Sequence, residues 1–322
     1  MTYTKILGTG SYVPDKILTN EDIKKYVDTS DEWIYSRTGI KERHIVTNES
    51  TLDLAYNAAL RAIESSGIDK NKIDLIIVAT VTSDFAFPGV ANLLQAKLGI
   101  ENITAFDINA ACSGFIYSMQ IADKMIKCGA FKTALIVGAE TLSRLTDWRD
   151  RNTCVLFGDG AGAMVLGKSK ENKIKDIITG SSGDTEMLLF CKNPGLKDPE
   201  VNAVSSQDHI HMNGTEVFKF ASRIMPKTVK HLLKRNHLST EDLNYVIAHQ
   251  ANMRIIDKSA RELEMDMEKM YINIDKYGNT SAASVPIAID EAVRKGLLKR
   301  DDLFITVAFG GGLTWAGALI QY

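Results

Sequence analysis

An α/β fold built by internal duplication is the class this sequence predicts, and three observations point to it. Apolar stretches of strand length alternate with helical patterns along the whole chain, the arrangement that stacks helices on the faces of sheets. Two sets of strand positions recur at the same spacing: Val78, Asp107 and Val137 lie about 30 residues apart, and so do Ile247, Asp275 and Val307. The middle strand of each set ends in an aspartate followed by a small-residue turn, FDINAACSGF in one and NIDKYGNTSAAS in the other, and each turn runs into a helix.

Taken in order, the run 5–8 reads as a first strand. A helix follows over 51–66, opened by Thr51 and closed at Ser65-Ser66-Gly67. The run 75–80 is the next strand, and 88–98 a helix that starts at Pro88 and stops at Gly99. Strands are expected at 105–108, 133–137 and 161–166. The interval 168–210 is polar, carries Gly180, Gly183, Pro194, Gly195 and Pro199, and shows no extended periodic segment. The boundary between halves is expected there, which divides the chain into 1–170 and 171–322. A helical period over 216–233 ends in a basic last turn. Strands are then expected at 245–249, 271–274, 304–309 and 315–320. In a duplicated core, matching strand ends meet near a pseudo-twofold axis. The turns after Asp107 and Asp275 would then face each other and bring Cys112 and Asn279 together.

The composition narrows the classes of function. The chain has 322 residues, 45% hydrophobic and 24% charged, with a net charge of -2, so a general attraction to nucleic acid or to a membrane surface is not indicated. No apolar run is long enough to span a bilayer, and the N-terminal MTYTKILGTGSYVP has no signal-peptide pattern. A soluble, cytoplasmic enzyme is the expectation. The four cysteines, at 112, 128, 154 and 191, have no C-x-x-C spacing and are expected as thiols. His209 and His211 would share one face of a strand, but no third ligand is near in sequence, so no metal site is expected.

Cys112 lies in N-A-A-C-S-G-F, between a strand and a helix. At a helix N-terminus, exposed amides favour an anion, so the pKa is expected to be lowered and the thiolate available as a nucleophile. A buried apolar thiol is the competing reading. His249 ends a strand and opens H-Q-A-N, at the strand edge where α/β sites gather; a satisfied sheet-edge histidine is the alternative. Asn279 follows a glycine and on its own reads as a turn residue. The run Phe309-Gly310-Gly311-Gly312 either presents amides to an oxyanion or makes a hairpin turn. Dinucleotide, phosphate-loop and H-E-x-x-H zinc motifs are absent.

The strings ACSGF, HQAN, GNTSAAS and FGGGLTW, in this order, resemble the β-ketoacyl-acyl-carrier-protein synthase III family. So do DTSDEWIYSRTGIKERH near the N-terminus and FGDGAGAMVL mid-chain. The resemblance covers essentially the whole chain. It implies the thiolase fold, a five-layered αβαβα duplication, and a homodimer that starts fatty acid synthesis. Its implied catalytic residues are Cys112, His249 and Asn279, with the amides of Cys112 and Gly311 as oxyanion donors. Cys112 would take an acyl group from acyl-CoA. Malonyl-acyl-carrier-protein would then lose carbon dioxide, and the resulting enolate would attack the acyl-cysteine. No metal or redox cofactor is implied. Trp33, Arg37, Arg151 and Asn252 match the family's coenzyme A contacts; by composition alone Trp33 reads as core and the arginines as solvated. A basic carrier-protein surface is expected around Lys219, Gln250, Ala251, Asn252, Met253, Arg254 and Arg261, with Lys258 on the same helical face. Glu262 stands where a basic residue is expected. Phe87, Leu142, Phe157 and Leu189 match the acyl pocket, with Phe87 crossing from a second subunit. A thiolase-fold synthase that joins acyl-CoAs in another pathway, or a non-catalytic paralogue, are the alternatives. Thiolases proper use a second cysteine and elongating synthases a second histidine, so Asn279 speaks against both.

Overall fold

The computed structural model describes residues 2–192 and 209–322. Nine strands form two sheets that repeat one topology. The first sheet runs Tyr3–Tyr12, Asp159–Ser169, Thr133–Thr141, Leu75–Ala79, Thr104–Ile108. The second runs Ile174–Ser181, Thr314–Gln321, Leu303–Gly310, Tyr245–Ala248. In both, the first two neighbouring pairs are antiparallel and the third is parallel.

Side-chain alternation sorts the helices into layers. Leu75 and Ile77 face a central core with Ile136 and Met164, while Ile76 and Val78 face the opposite side with Leu135 and Val137. The central core also takes in Phe115, Met119 and Ile126 of helix Gly114–Lys127, Val285 and Ile289 of helix Ser284–Arg294, and Ile247, Phe304 and Ala318 of the second sheet. The outer face of the first sheet is covered by helices Thr51–Ser66 and Val90–Leu98. Gly214–Arg235 and Met253–Glu262 cover the outer face of the second. The order is helix, sheet, helix, sheet, helix, the five-layered thiolase architecture. Strands buried on both faces read as unbroken apolar runs, which is why they were visible in the sequence.

Three local expectations are corrected. Residues 271–274 form no strand: one parallel bridge joins Met270 to Val246, and Asp275 lies in the short helix Ile274–Tyr277. The Gln250 side-chain oxygen accepts the amides of Asn273 (3.0 Å) and Ile274 (3.2 Å), turning the backbone out of the ladder. Second, the interval 168–210 contains strand Ile174–Ser181, an edge strand with lysine and aspartate among its isoleucines. Gly180 lies in that strand under the Trp315 ring, which a Cβ would meet at 2.5 Å. Pro194, Gly195 and Pro199 lie outside the described residues. Third, the cap of helix Thr51–Ser66 is Ser50. It forms a reciprocal capping box with Asp53, while the Thr51 hydroxyl donates to the Thr82 carbonyl at 2.6 Å.

The duplication extends to the turns before the two central helices. Ala111–Ser113 and Ser281–Ala283 are matching single turns, entered through Ala111 at φ +46° and Ser281 at φ +48°. In each, an asparagine two residues earlier accepts the amide of that residue: Asn109 from Ala111 at 3.3 Å, and Asn279 from Ser281 at 2.9 Å. Asn109 is therefore the repeat counterpart of Asn279, and Ala282 that of Cys112. Each turn lies against a glycine of the other half's sheet. A Cβ on Gly138 would come within 2.2 Å of the Ala282 carbonyl oxygen, and one on Gly310 within 2.6 Å of the Cys112 amide nitrogen. Replacing Gly138 with alanine should therefore lower stability by about 1–3 kcal/mol, the range for overpacked cores. Urea unfolding monitored by circular dichroism would show the lowered midpoint.

Candidate active site

A cavity of about 790 Å³ runs from an outer rim at Trp33, Arg37 and Arg151 to a floor that includes Cys112, His249 and Asn279. Three elements deliver the floor residues. The turn Ala111–Ser113 carries Cys112, the end of strand Tyr245–Ala248 carries His249, and the loop after helix Ile274–Tyr277 carries Asn279. Asn279 also ties the halves together: its amide donates to the Leu156 carbonyl (2.9 Å), and its carbonyl accepts from Gly158 (3.0 Å).

Cys112 is 9% exposed, and burial pushes its thiol up to about 12, with the Glu140 carboxylate adding to the rise and a Ser281 hydrogen bond opposing it. The sequence expectation of a lowered pKa is overturned. Enclosure of the sulfur and a neighbouring anion outweigh the amides of the turn, so the resting group is the thiol. His249 is buried, its backbone amide bonded to the Val307 carbonyl (2.8 Å) and its ring edge-on to Phe309 at 5.4 Å. Burial lowers its pKa to about 3, and Nδ1 is enclosed without a hydrogen-bond partner. The ring is therefore neutral at ordinary pH, with one N–H to donate. On Asn279, the Ser281 amide fixes Oδ1, which leaves the NH2 group as the free donor in the cavity.

The glycine run is the hairpin between strands Leu303–Gly310 and Thr314–Gln321. Gly310 lines the cavity beside Cys112, whereas Gly311 lies against the Leu189 carbonyl and is not part of the lining. Glu140, missed in the sequence, is wholly buried beside this floor, and burial pushes it up to about 7. Its one sequence signal is a carboxylate inside an otherwise apolar run, L-I-V-G-A-E-T.

At the rim, the Arg37 and Arg151 guanidiniums lie 4.9 and 4.8 Å from the Trp33 ring centroid. Asn252 lines the same rim and caps helix Met253–Glu262, its Oδ1 accepting the Arg254 amide at 2.9 Å. A second groove, about 580 Å³, is lined by Phe218, Arg254, Asp257, Lys258, Arg261 and Glu262. Arg254 and Lys258 both stand 5.6 Å from the Phe218 ring centroid. Arg261 pairs with Asp257, Lys219 with Glu216 at 2.7 Å, and Glu262 faces Lys230 at 3.9 Å.

Several expected site residues serve other ends. Gln250 is buried and fully engaged: Nε2 donates to the carbonyls of Ala248 (2.8 Å) and Tyr271 (3.0 Å), so it offers nothing to a docking protein. Met253 turns inward onto Gly39, and Ala251 lines the cavity instead of an outer surface. Phe157 and Leu189 line the cavity, but Leu142 is packed into the apolar cluster that contains both. Phe87 is 87% exposed and is not part of its own chain's cavity. His211 stacks on Phe190 at 5.0 Å, and among the described residues no group of three or more His, Cys, Asp or Glu is placed to hold a metal ion.

A thiol, a neutral imidazole and a carboxamide on one floor, within a duplicated five-layered fold, define a thiolase-fold acyl-transfer enzyme. The comparisons with known proteins agree. Residues 106–183 match the family model described as 3-oxoacyl-[acyl-carrier-protein] synthase III, and residues 233–322 match the C-terminal model of the same name. The β-ketoacyl-[acyl-carrier-protein] synthase III of Clostridium acetobutylicum is 51% identical, over 100% of this chain and 99% of that one. That of Xanthomonas campestris is 50% identical over 99% and 98%. The crystal structure of the Aquifex aeolicus 3-oxoacyl-[acyl-carrier-protein] synthase III superposes with a TM-score of 0.93 at 47% identity, over 99% and 100% of the chains. This chain belongs to the β-ketoacyl-acyl-carrier-protein synthase III family.

The depressed histidine has a measurable consequence. The unfolded chain takes up a proton at His249 near its ordinary value of 6.5, whereas the folded chain resists until about 3. The stabilisation is therefore complete above 6.5 and is lost as pH falls, by about 1.4 kcal/mol per pH unit. Glu140 acts in the opposite sense, losing stabilisation as pH rises from 4.5 towards 7. Between these limits the two slopes oppose each other in the intact protein. Urea titrations between about pH 5 and 7 should show the stability of His249→Gln, relative to the unsubstituted chain, improving as the pH falls.

Proposed function

We propose that this chain makes 3-oxoacyl-acyl-carrier-protein by condensing a short acyl-CoA primer with malonyl-acyl-carrier-protein, the step that starts fatty acid synthesis. The single observation that carries this reading is the floor of the cavity, where a nucleophile and two neutral hydrogen-bond donors share one enclosed space with a cationic, aromatic rim. The rim suits the adenine and phosphates of coenzyme A, with Trp33 supplying a stacking face and Arg37 and Arg151 the charge.

In the first half-reaction the Cys112 sulfur attacks the acyl thioester. Its proton ends on the departing coenzyme A sulfur, so no net charge is left in the cavity. Neutral His249 is the base available on the floor. The Cys112 amide stabilises the tetrahedral oxyanion; Gly311, which lies outside the cavity lining, is the second donor by family resemblance alone. In the second half-reaction malonyl-acyl-carrier-protein enters and carbon dioxide leaves. Negative charge then develops on the thioester oxygen, where His249 and the Asn279 NH2 donate. Neither donor carries a full charge, so the enolate is stabilised without being protonated early. Its carbon attacks the acyl-cysteine, and the Cys112 sulfur leaves as a thiolate that takes up one proton from solvent to restore the resting thiol.

Arg254, Lys258, Arg261 and Lys219 form the basic surface proposed for the acidic carrier protein, with Phe218 between them. Phe87 supports a homodimer in which its ring closes the partner's acyl pocket. Half 1–170 then supplies Cys112, and half 171–322 supplies His249 and Asn279. No metal or redox cofactor enters this scheme. Among the described residues no helix is long and apolar enough to cross a membrane, and the substrates place the enzyme in the cytoplasm.

Intact-protein mass spectrometry after incubation with acetyl-CoA should show one acetyl group, absent in Cys112→Ala. Persistence of the adduct in that variant would exclude Cys112 as the acyl carrier. Asn279→Ala should still acylate but lose malonyl-acyl-carrier-protein decarboxylation by about 10²–10³-fold, the usual cost of one such donor. Trp33→Ala should raise the KM for acyl-CoA about 10-fold with little change in kcat, since a cation–aromatic stack supplies about 1–2 kcal/mol.

A further inference from the structure

The site contains a buried carboxylate that the condensation chemistry does not use. Glu140 is the penultimate residue of strand Thr133–Thr141 and has no exposed surface. Its oxygens gather donors from both halves of the molecule. Thr80 Oγ1 (3.3 Å), the Val81 amide (3.1 Å) and Thr82 Oγ1 (2.7 Å) donate to Oε2 from the first half. Ser281 Oγ donates to Oε1 from the second, at 3.2 Å. No lysine or arginine pairs with it among the described residues. This is an expensive way to bury a carboxylate, since hydroxyls and the amides of Val81 and Ala282 replace the countercharge that such a group ordinarily needs.

Ser281 makes the arrangement consequential. The same residue whose hydroxyl rests on Glu140 gives its amide to Asn279 Oδ1 at 2.9 Å. Ser281 also sits at φ +48°, a backbone region that serine leaves readily unless held. The Ser281 hydroxyl is also the hydrogen-bond partner of the Cys112 thiol, so Glu140 stands one hydroxyl away from the sulfur, and its charge acts in the direction that retains the proton. The ionisable groups facing that thiol are Glu140 from the first sheet and His249 from the second. His249 is neutral, and the threonines and Ser281 do not ionise.

We propose that Glu140 is a positioning residue with two effects on the floor: through Ser281 it holds the Asn279 amide with its NH2 group towards the cavity, and its charge keeps the proton on Cys112 until a thioester arrives. The inference rests on the roles assigned above to Cys112 and Asn279. The two effects have opposite signs on removal of the charge, which separates this role from a merely structural one. A weaker hydrogen bond from Ser281 slows decarboxylation, whereas loss of the charge makes the thiol more reactive.

The test uses the full chain with Glu140→Gln, Glu140→Asp and Ser281→Ala. Iodoacetamide alkylation of Cys112, read by peptide mass spectrometry between about pH 7 and 10, reports the thiol without any substrate. Glu140→Gln should move the profile to lower pH and speed alkylation at pH 8 about 10-fold, the effect of one pH unit. Because glutamine still offers Ser281 an acceptor, though a weaker, uncharged one, this variant should slow malonyl-acyl-carrier-protein decarboxylation less than Ser281→Ala does, while acetyl transfer to Cys112 changes less again. Glu140→Asp keeps the charge and should retain the alkylation profile. Ser281→Ala keeps the carboxylate and should weaken decarboxylation without speeding alkylation. Unchanged or slower alkylation in Glu140→Gln, with both half-reactions falling together, would overturn the proposal. If the unsubstituted chain forms no acyl adduct, the functional reading fails instead, and the alkylation profiles still decide whether Glu140 controls the thiol.

Discussion

The structure depends on two close backbone approaches. The turn carrying Cys112 presses on Gly310 of the second sheet, and its counterpart at Ala282 presses on Gly138 of the first. Each half thus supplies the surface on which the other half's turn is formed. The central helices Gly114–Lys127 and Ser284–Arg294 start from these turns, so their position between the sheets follows from the same contacts. The positive φ angles of Ala111 and Ser281 belong to this constraint. Neither residue is a glycine, and both conformations persist because packing leaves the chain no alternative.

Charge is graded from rim to floor. Arginines crowd Trp33 at the entrance, yet the three ionisable groups at the bottom are all driven towards their neutral forms: Cys112 and Glu140 up, His249 down. Burial is the first cause in each case. A substrate with an anionic handle and an uncharged thioester end is matched by such a gradient. Asn279 fits the same pattern, because a carboxamide donates at any pH and has no charge to lose on enclosure.

Much of the fold was legible because it rests on patterns that residues carry locally. Strands such as Leu75–Ala79 are unbroken apolar runs, and helix Thr51–Ser66 announces its end with Gly67. The duplication was visible as a spacing, although the aspartates chosen as markers are not the equivalent residues; the true match pairs Asn109 with Asn279 and Ala111 with Ser281. Ile174–Ser181 was hidden because an edge strand tolerates charges that a central strand excludes. Motif strings pointed to Cys112, His249 and Asn279, which line one cavity, but they could not reveal enclosure. The direction of the Cys112 shift was misread for that reason, since desolvation depends on neighbours from distant parts of the chain. Gln250 was misplaced for a related one: a polar residue beside a site string reads as a contact, and only the folded backbone shows that its amide is spent on Ala248, Tyr271, Asn273 and Ile274.

The reciprocal seating of the two turns also bears on the order in which the protein is made. Cys112 emerges from the ribosome well before Gly310, which belongs to the surface that shapes its turn. Until then the thiol has neither its enclosing wall nor His249 and Asn279. The nascent chain therefore carries an ordinary cysteine until Gly310 has followed, and the cavity floor around Cys112 comes into being only once residues of both halves have been made.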